Sequence, residues 1–85
     1  MSEELQEVGR VTHYFTKIGV AIVELKSLLS VGDHIRFKGP KTDFAQIVKS
    51  MQIEHMNITQ AKSGQSIGLK VDDRVRENDR VYKII

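Results

Sequence analysis

Three histidines are the side chains of this sequence best suited to bind a metal ion or move a proton. His13, His34 and His55 are scattered, and none lies two or four residues from another, the spacing that makes a ligand pair predictable. His55 directly follows Glu54, but neighbours on an extended chain point to opposite faces. We therefore predict no metal site and no histidine catalysis.

Other reactive groups lack the sequence context that would activate them. The chain has no cysteine, which excludes disulfides, thiolate metal ligands and thiol catalysis. Its serines accompany no nucleophile elbow, and no phosphate-binding glycine loop with lysine occurs. Acidic residues cluster in 72–80, but arginines alternate with them and oppose a cation. We predict no catalytic residue, no cofactor and no bound nucleotide.

The basic residues could instead contact a phosphate backbone. The net charge is only +2, yet the span from Val8 to Val71 holds nine basic and four acidic residues. Strand alternation that points Ile35, Phe37 and Leu69 inward would point neighbouring basic residues out as a stripe. The candidate RNA contacts are Arg10, Arg36, Lys38, Lys49 and Lys70. The alternative is that these charges only keep an exposed strand face in water. Proteins that bind single strands stack bases on exposed aromatic residues, and because the three phenylalanines are assigned to the core, only Tyr14 and Tyr82 are candidates for stacking.

Apolar residues recur at a spacing of two through most of the chain, which predicts strands. The predicted strands are Val8 to Phe15, Val20 to Leu25, the strand of SVGDHIRFKG, Gln46 to Ile53 with a bulge, Ile67 to Val71, and Val81 to Ile84. Residues 54–61 could hold one helical turn. Six short strands separated by glycine turns predict an all-β fold, a small closed six-stranded antiparallel barrel.

The length of the chain and the composition of its N-terminus limit the possible domain organisation and location. The 85 residues suffice for one domain, predicted at 8–85 after a flexible lead of residues 1–7. No apolar run is long enough to span a bilayer, and MSEELQEV lacks the basic and apolar character of a signal peptide. We expect a cytosolic protein with no membrane contact.

The stretch AKSGQSIGLKV combines a polar turn with a half-buried strand. Gly64, just before the strand, is predicted to adopt a positive φ, and Gly68, within it, to permit close approach of a backbone or bulge.

Five motifs in order carry a family resemblance: VGRV, SVGDHIRF, VKSMQI, AKSGQSIGLKV and RENDRVYKI. Together they resemble the second domain of translational GTPases such as elongation factor Tu, a six-stranded antiparallel barrel. The chain is also similar to free-standing elongation-factor-like proteins and to the barrel that ends collagenase-like peptidases. The larger factors hold a charged transfer RNA with an aromatic residue and an arginine; the corresponding stretch here contains Glu54, which would repel phosphate.

A protein partner is a second interpretation of the surface. Val20 to Leu25 is apolar on both faces, more than so small a barrel buries easily, so Ala21, Val23 and Leu25 are candidate docking residues. The alternative is that the barrel end and Leu28 and Leu29 cover them.

The leading hypothesis is a non-catalytic translation-factor-like module that contacts RNA or translation and RNA-modification machinery. The alternative is an accessory subunit or docking module for a separately encoded peptidase-like enzyme. A third hypothesis, an enzyme in its own right, would depend on Glu54 and His55.

Overall fold

The computed structural model describes residues 4–85, and within that range the chain forms strands and no helix. The strands are β1 (Leu5–Phe15), β2 (Val20–Leu25), β3 (Leu29–Ser30), β4 (His34–Gly39), β5 (Thr42–Ile47), β6 (Met51–Ile53), β7 (Met56–Ile58), β8 (Gln60–Ala61), β9 (Ser66–Lys70) and β10 (Arg80–Ile84). The all-β prediction is confirmed. Nothing in residues 4–85 has the helical length and apolarity that crossing a bilayer requires.

Eight strands form one sheet in the order β5-β4-β10-β1-β2-β9-β6-β7, and β3 pairs with β8 in a second, two-stranded sheet. All pairs are antiparallel. The sheet is open: its edge strands, β5 and β7, do not pair with one another. The predicted closed six-stranded barrel is therefore wrong in closure, and the count of six strands is not confirmed.

A side chain links β5 to the far side of the sheet where a barrel would have a backbone ladder. The amide nitrogen Nε2 of Gln46 donates to the carbonyl oxygen of Lys70 at 2.9 Å. Its oxygen Oε1 accepts from the backbone N–H of Asp72 at 2.7 Å. Gln46 is buried, so this one amide satisfies two backbone groups that would otherwise lack partners.

One apolar core lies on the inner face of the sheet. Its largest fully buried side chains are Phe37, Leu29, Ile35, Met51, Ile67, Leu69, Val8, Val11, Val23, Val48, Val75 and Val81. Phe37 stacks on Phe44 of the neighbouring strand, with ring centroids 5.0 Å apart. Leu29 of β3 and Ala61 of β8 are also fully buried, which makes the small sheet part of the core's enclosure.

Two bulges shape β1, the longest strand. The register shifts between Glu7 and Gly9 against β10, and between Val11 and His13 against β2. The second shift makes Thr12 an extra residue, because Val11 lies opposite Val23 while His13 lies opposite Ile22. The extra residue moves the side chains that follow it to the opposite face of the strand, so that His13 and Phe15 are exposed.

The glycine turn prediction is confirmed at Gly64, which has a φ of +89°. It is not confirmed at Gly68: a Cβ built there would meet Val20 Cγ1 at 3.5 Å and no atom nearer. This is an ordinary contact, so no close backbone approach requires a glycine at that position.

The least regular part of the sequence is the part predicted wrongly. Gln46 to Ile53 is not one bulged strand, since β5 begins at Thr42 and ends at Ile47, and β6 begins at Met51. The expected helical turn in 54–61 is a hairpin in which Glu54 and His55 form a two-residue turn with φ of +50° and +66°. Two positive φ angles give the turn a twist that matches paired strands.

The predicted boundary after residue 7 also moves. β1 begins at Leu5, and Leu5, Gln6 and Glu7 pair with β10, so this part of the lead is strand. Residues 1–3 of the predicted flexible lead lie outside the described residues.

Candidate protein-docking groove

The residues predicted to dock a partner lie in the core instead. Ala21 and Val23 have no exposed surface and Leu25 is 2% exposed. The prediction that they form a docking surface is wrong, because their face of β2 turns inward against Val11 and Ile67. The other face of the same strand carries Val20 and Ile22, which remain half-buried.

A groove lies on this outer face where four strands run side by side. Phe15 of β1 is opposite Val20, Ile22 is opposite Gly68 of β9, and Gly68 is opposite Gln52 of β6. Because Gly68 has no side chain, the outer surface is recessed between its neighbours. The cavity has a volume of about 240 Å³ and is lined by Phe15, Ile18, Val20, Ile22, Gln52, Glu54, His55 and Gly68.

The turn between β1 and β2 forms one wall of the groove. Its backbone is closed by a hydrogen bond from the N–H of Gly19 to the carbonyl of Phe15 at 2.9 Å. Phe15 is 44% exposed and Ile18 is 57% exposed, so this wall presents two large apolar side chains to solvent side by side. A second cavity of about 290 Å³ shares Phe15 and Ile18 with the groove and is also lined by Tyr14, Thr16 and Lys17.

Phe15 is held from the side by a histidine. The His13 ring meets it edge-on with centroids 4.5 Å apart, and His13 Nδ1 lies 3.5 Å from Glu77 Oε1. The Phe15 ring therefore has one aromatic neighbour outside the groove lining.

The two ends of the groove differ in charge. At the turn end, the Lys70 ammonium donates to the carbonyl oxygen of Ile18 at 2.7 Å, and Lys17 is exposed on the turn. At the other end Glu54 is exposed, and within residues 4–85 it forms no ion pair. The groove is apolar in the middle, positive at one end and negative at the other.

Glu54 and His55 both line the groove, so the expectation that neighbours point apart does not apply to this turn. Within residues 4–85, His, Asp and Glu side chains form no group of three that could hold a metal ion. The arrangement offers apolar binding with a carboxylate at its rim, which suits recognition of an apolar side chain.

Three of the five predicted RNA contacts are occupied within the chain. Arg36 Nη1 bonds to Asp43 Oδ1 at 2.6 Å and Lys49 Nζ to Asp72 Oδ1 at 2.8 Å. Lys70 holds the β1–β2 turn, as described above. Lys49 lies in the loop after β5, away from the strands that carry the others.

The remaining two, Arg10 and Lys38, lie on either side of Arg80 in the sheet register. Glu24 is the neighbour of Arg10 on β2, and Asp43 is the neighbour of Lys38 on β5. This row of three cations is thus bounded by an acid at each end. The five basic residues do not form one stripe that a phosphate backbone could follow.

Two curated proteins are similar to the chain over most of its length. It is 44% identical, over 77 residues, to a protease of Methanocaldococcus jannaschii whose activity is uncharacterized, matching 89% of this chain and 19% of that protein. It is 36% identical, over 78 residues, to a collagenase of Porphyromonas gingivalis, matching 89% of this chain and 22% of the collagenase. The chain spans about a fifth of the length of these relatives. No family model matches it.

The fold is shared with a solved domain. The C-terminal domain of a Geobacillus thermoleovorans protein assigned to the U32 peptidases superimposes with a TM-score of 0.86 at 23% identity, covering 92% of this chain and 91% of that domain. A selenomethionine form of the domain gives a TM-score of 0.85.

These comparisons confirm the collagenase-like part of the predicted resemblance, and the elongation-factor part is not confirmed. The predicted function as a translation-factor-like, RNA-contacting module is wrong, because the relatives are a protease and a collagenase. The comparisons favour the alternative hypothesis, in which the chain associates with a peptidase-like enzyme.

Proposed function

We propose that this chain is a non-catalytic accessory domain of a U32-like peptidase, and that it binds protein instead of cleaving it. The observation that carries the proposal is the 44% identity to a protease of which the match occupies only 19%. Four-fifths of that relative lie outside the match and have room for a catalytic domain of ordinary size.

The character of the groove supports a binding role. Its walls are mostly apolar, and exposed apolar surface beside a filled core is typical of protein contact sites. Peptide hydrolysis requires an activated nucleophile or water positioned by further groups. Glu54 and His55 are turn residues on the rim of an open groove, and we propose that they contribute to recognition.

The proposal includes a catalytic part in the same chain and a catalytic part encoded separately. A cytosolic location stays a prediction, and so does a protein partner.

A complementation experiment tests the proposal with the P. gingivalis collagenase. The segment matching this chain is deleted, and the 85-residue chain is fused in its place or supplied separately. Collagen digestion is compared with that of the intact enzyme and of a fusion carrying an unrelated all-β domain of similar size.

We expect the deletion to reduce collagen digestion and this chain to restore it, while the unrelated domain does not. The chain alone should digest no collagen. Digestion by the chain alone would contradict the non-catalytic role, and a deleted enzyme with full activity would contradict the accessory role.

A further inference from the structure

We infer that the groove on β1, β2, β9 and β6 docks a protein segment that inserts one aromatic or branched aliphatic side chain and carries a basic residue beside it. This inference rests on the proposed function, in which the segment belongs to the peptidase-like partner. It assigns the contact to the outer face of β2, away from the core residues Ala21, Val23 and Leu25.

The size of the groove selects the occupant. A cavity of about 240 Å³ is below the roughly 300–1,000 Å³ of typical small-molecule pockets, but it accommodates one large side chain. Its floor exists because Gly68 lacks a side chain between Ile22 and Gln52. Protein interfaces concentrate binding free energy in such anchor-and-pocket contacts, in which aromatic residues are enriched.

The walls indicate that the occupant is apolar at its tip. Val20 and Ile22 cover the middle of the groove, and Phe15 and Ile18 stand exposed at its edge. Phe15 already meets His13 edge-on, which leaves its groove side for a further ring or aliphatic group. Contact there would remove apolar surface of all four residues from water.

The charges fix the direction of the occupant. Glu54, which has no ion-pair partner within residues 4–85, would attract Lys or Arg beside the anchor. Lys17, exposed on the turn at the opposite end, favours an acidic or polar continuation there. The same carboxylate disfavours a phosphate-bearing ligand, so charge complementarity points to a protein segment.

Filling the groove is the most direct test, and the chain offers a matched control. In Gly68→Val the new side chain projects into the groove, and a Cβ there meets its nearest atoms at ordinary distances of 3.5 to 3.9 Å. Ser66→Val places the same valine side chain on the same face of β9, outside the groove lining. Both variants should fold, because valine suits strands.

The probe is a phage-displayed library of random dodecapeptides selected on the unmodified chain. We expect enrichment of sequences with an aromatic or branched aliphatic residue next to Lys or Arg. A synthetic peptide of the enriched sequence should bind Gly68→Val at least ~10-fold more weakly than the unmodified chain, and Ser66→Val within about 2-fold, because a blocked pocket loses its anchor. Selection on Glu54→Lys should change the flanking preference from basic to acidic, whereas selection on Asp73→Lys, outside the groove, should not.

Three results would overturn the inference: no enriched peptide, an enriched peptide that binds Gly68→Val as well as the unmodified chain, or dimerisation of the chain in sedimentation that Gly68→Val abolishes. The last would identify a second copy as the occupant.

The collagenase complementation separates this inference from the proposed function. If Gly68→Val complements as well as the unmodified chain, the accessory role stands and the groove contact is wrong. If peptides bind in the groove but complementation fails, the groove is a docking site and its assignment to a peptidase is wrong.

Discussion

The two faces of β2 are both largely apolar and have opposite roles. Ala21, Val23 and Leu25 face inward and are buried, whereas Val20 and Ile22 face outward and line a groove. Valine occurs on both faces, and the one polar residue of the strand, Glu24, is on the outward face. The register of β2 against its neighbours decides which face becomes core and which remains available to a partner.

Placing a charge on each face tests this comparison with the largest expected effect. Val23→Asp buries a carboxylate without a partner and should cost more than ~3 kcal/mol, a large fraction of the stability of so small a domain. Ile22→Asp can keep its carboxylate in water and should cost less than about 1 kcal/mol. Urea denaturation followed by circular dichroism measures both. Similar losses for the two variants would contradict the assignment of faces.

Sequence alone predicted the fold class because most strands alternate cleanly. Ile35 and Phe37, and likewise Ile67 and Leu69, are separated by polar or small residues and all four are buried, as the spacing predicts. Turns with glycine or asparagine were also recognisable, since few residues tolerate the positive φ found at Gly64 and Asn78.

The docking face has a much weaker sequence signal. In the run from Val20 to Leu25 only Glu24 is polar, and its parity alone indicates that Val20 and Ile22 share the exposed face. The extra residue Thr12 in β1 leaves no sequence signal, yet it brings Phe15 beside Val20 on the outer face. Gly68 is the sequence signal for the groove, because the absence of a side chain there makes the recess.

The next largest effect on stability is expected at Gln46, whose side chain links β5 to the other side of the sheet where a closed barrel would have backbone hydrogen bonds. Gln46→Ala removes the donor to Lys70 O and the acceptor of Asp72 N, leaving partly buried backbone groups unpaired. We expect a loss of about 2 kcal/mol in the free energy of unfolding.

Gln60→Ala is the matched control, because the exposed Gln60 amide makes one long contact to Ser30 Oγ at 3.4 Å. It should change stability by less than about 0.5 kcal/mol. Amide hydrogen exchange at Asp72 gives a local measurement, and unchanged protection in Gln46→Ala would contradict the linking role.

The turn beside the groove should respond in the opposite direction. His55 has a φ of +66°, a conformation that glycine adopts without steric cost, so His55→Gly should stabilise the protein by about 1 kcal/mol. Lys41→Gly changes the other two-residue turn, where φ is not positive, and should give no gain. Thermal unfolding compares the two, and equal effects would show that positive φ does not strain the turn at His55.

The smallest expected effect is a pH dependence on the outer surface at Glu7. A hydrogen bond from the Lys26 ammonium at 2.7 Å, aided by the charges of Lys26 and Arg80, lowers the pKa of the Glu7 carboxyl below its usual value of 4.5. A lowered folded-state pKa means that the ionised form is favoured by folding. This stabilisation is fully present above pH 4.5 and is lost as the pH falls through the lowered pKa.

Glu7→Gln removes the titrating group, so its stability should fall less than that of the unmodified chain between pH 7 and pH 3. The difference should be a few tenths of a kcal/mol, because exposed ion pairs contribute ~0–1 kcal/mol. Lys26→Met removes the principal donor and should reduce the pH dependence in the same direction. Urea midpoints at the two pH values measure both variants. An identical pH dependence in all three proteins would show that the Glu7 contacts, unlike those of the inner face, contribute nothing to stability.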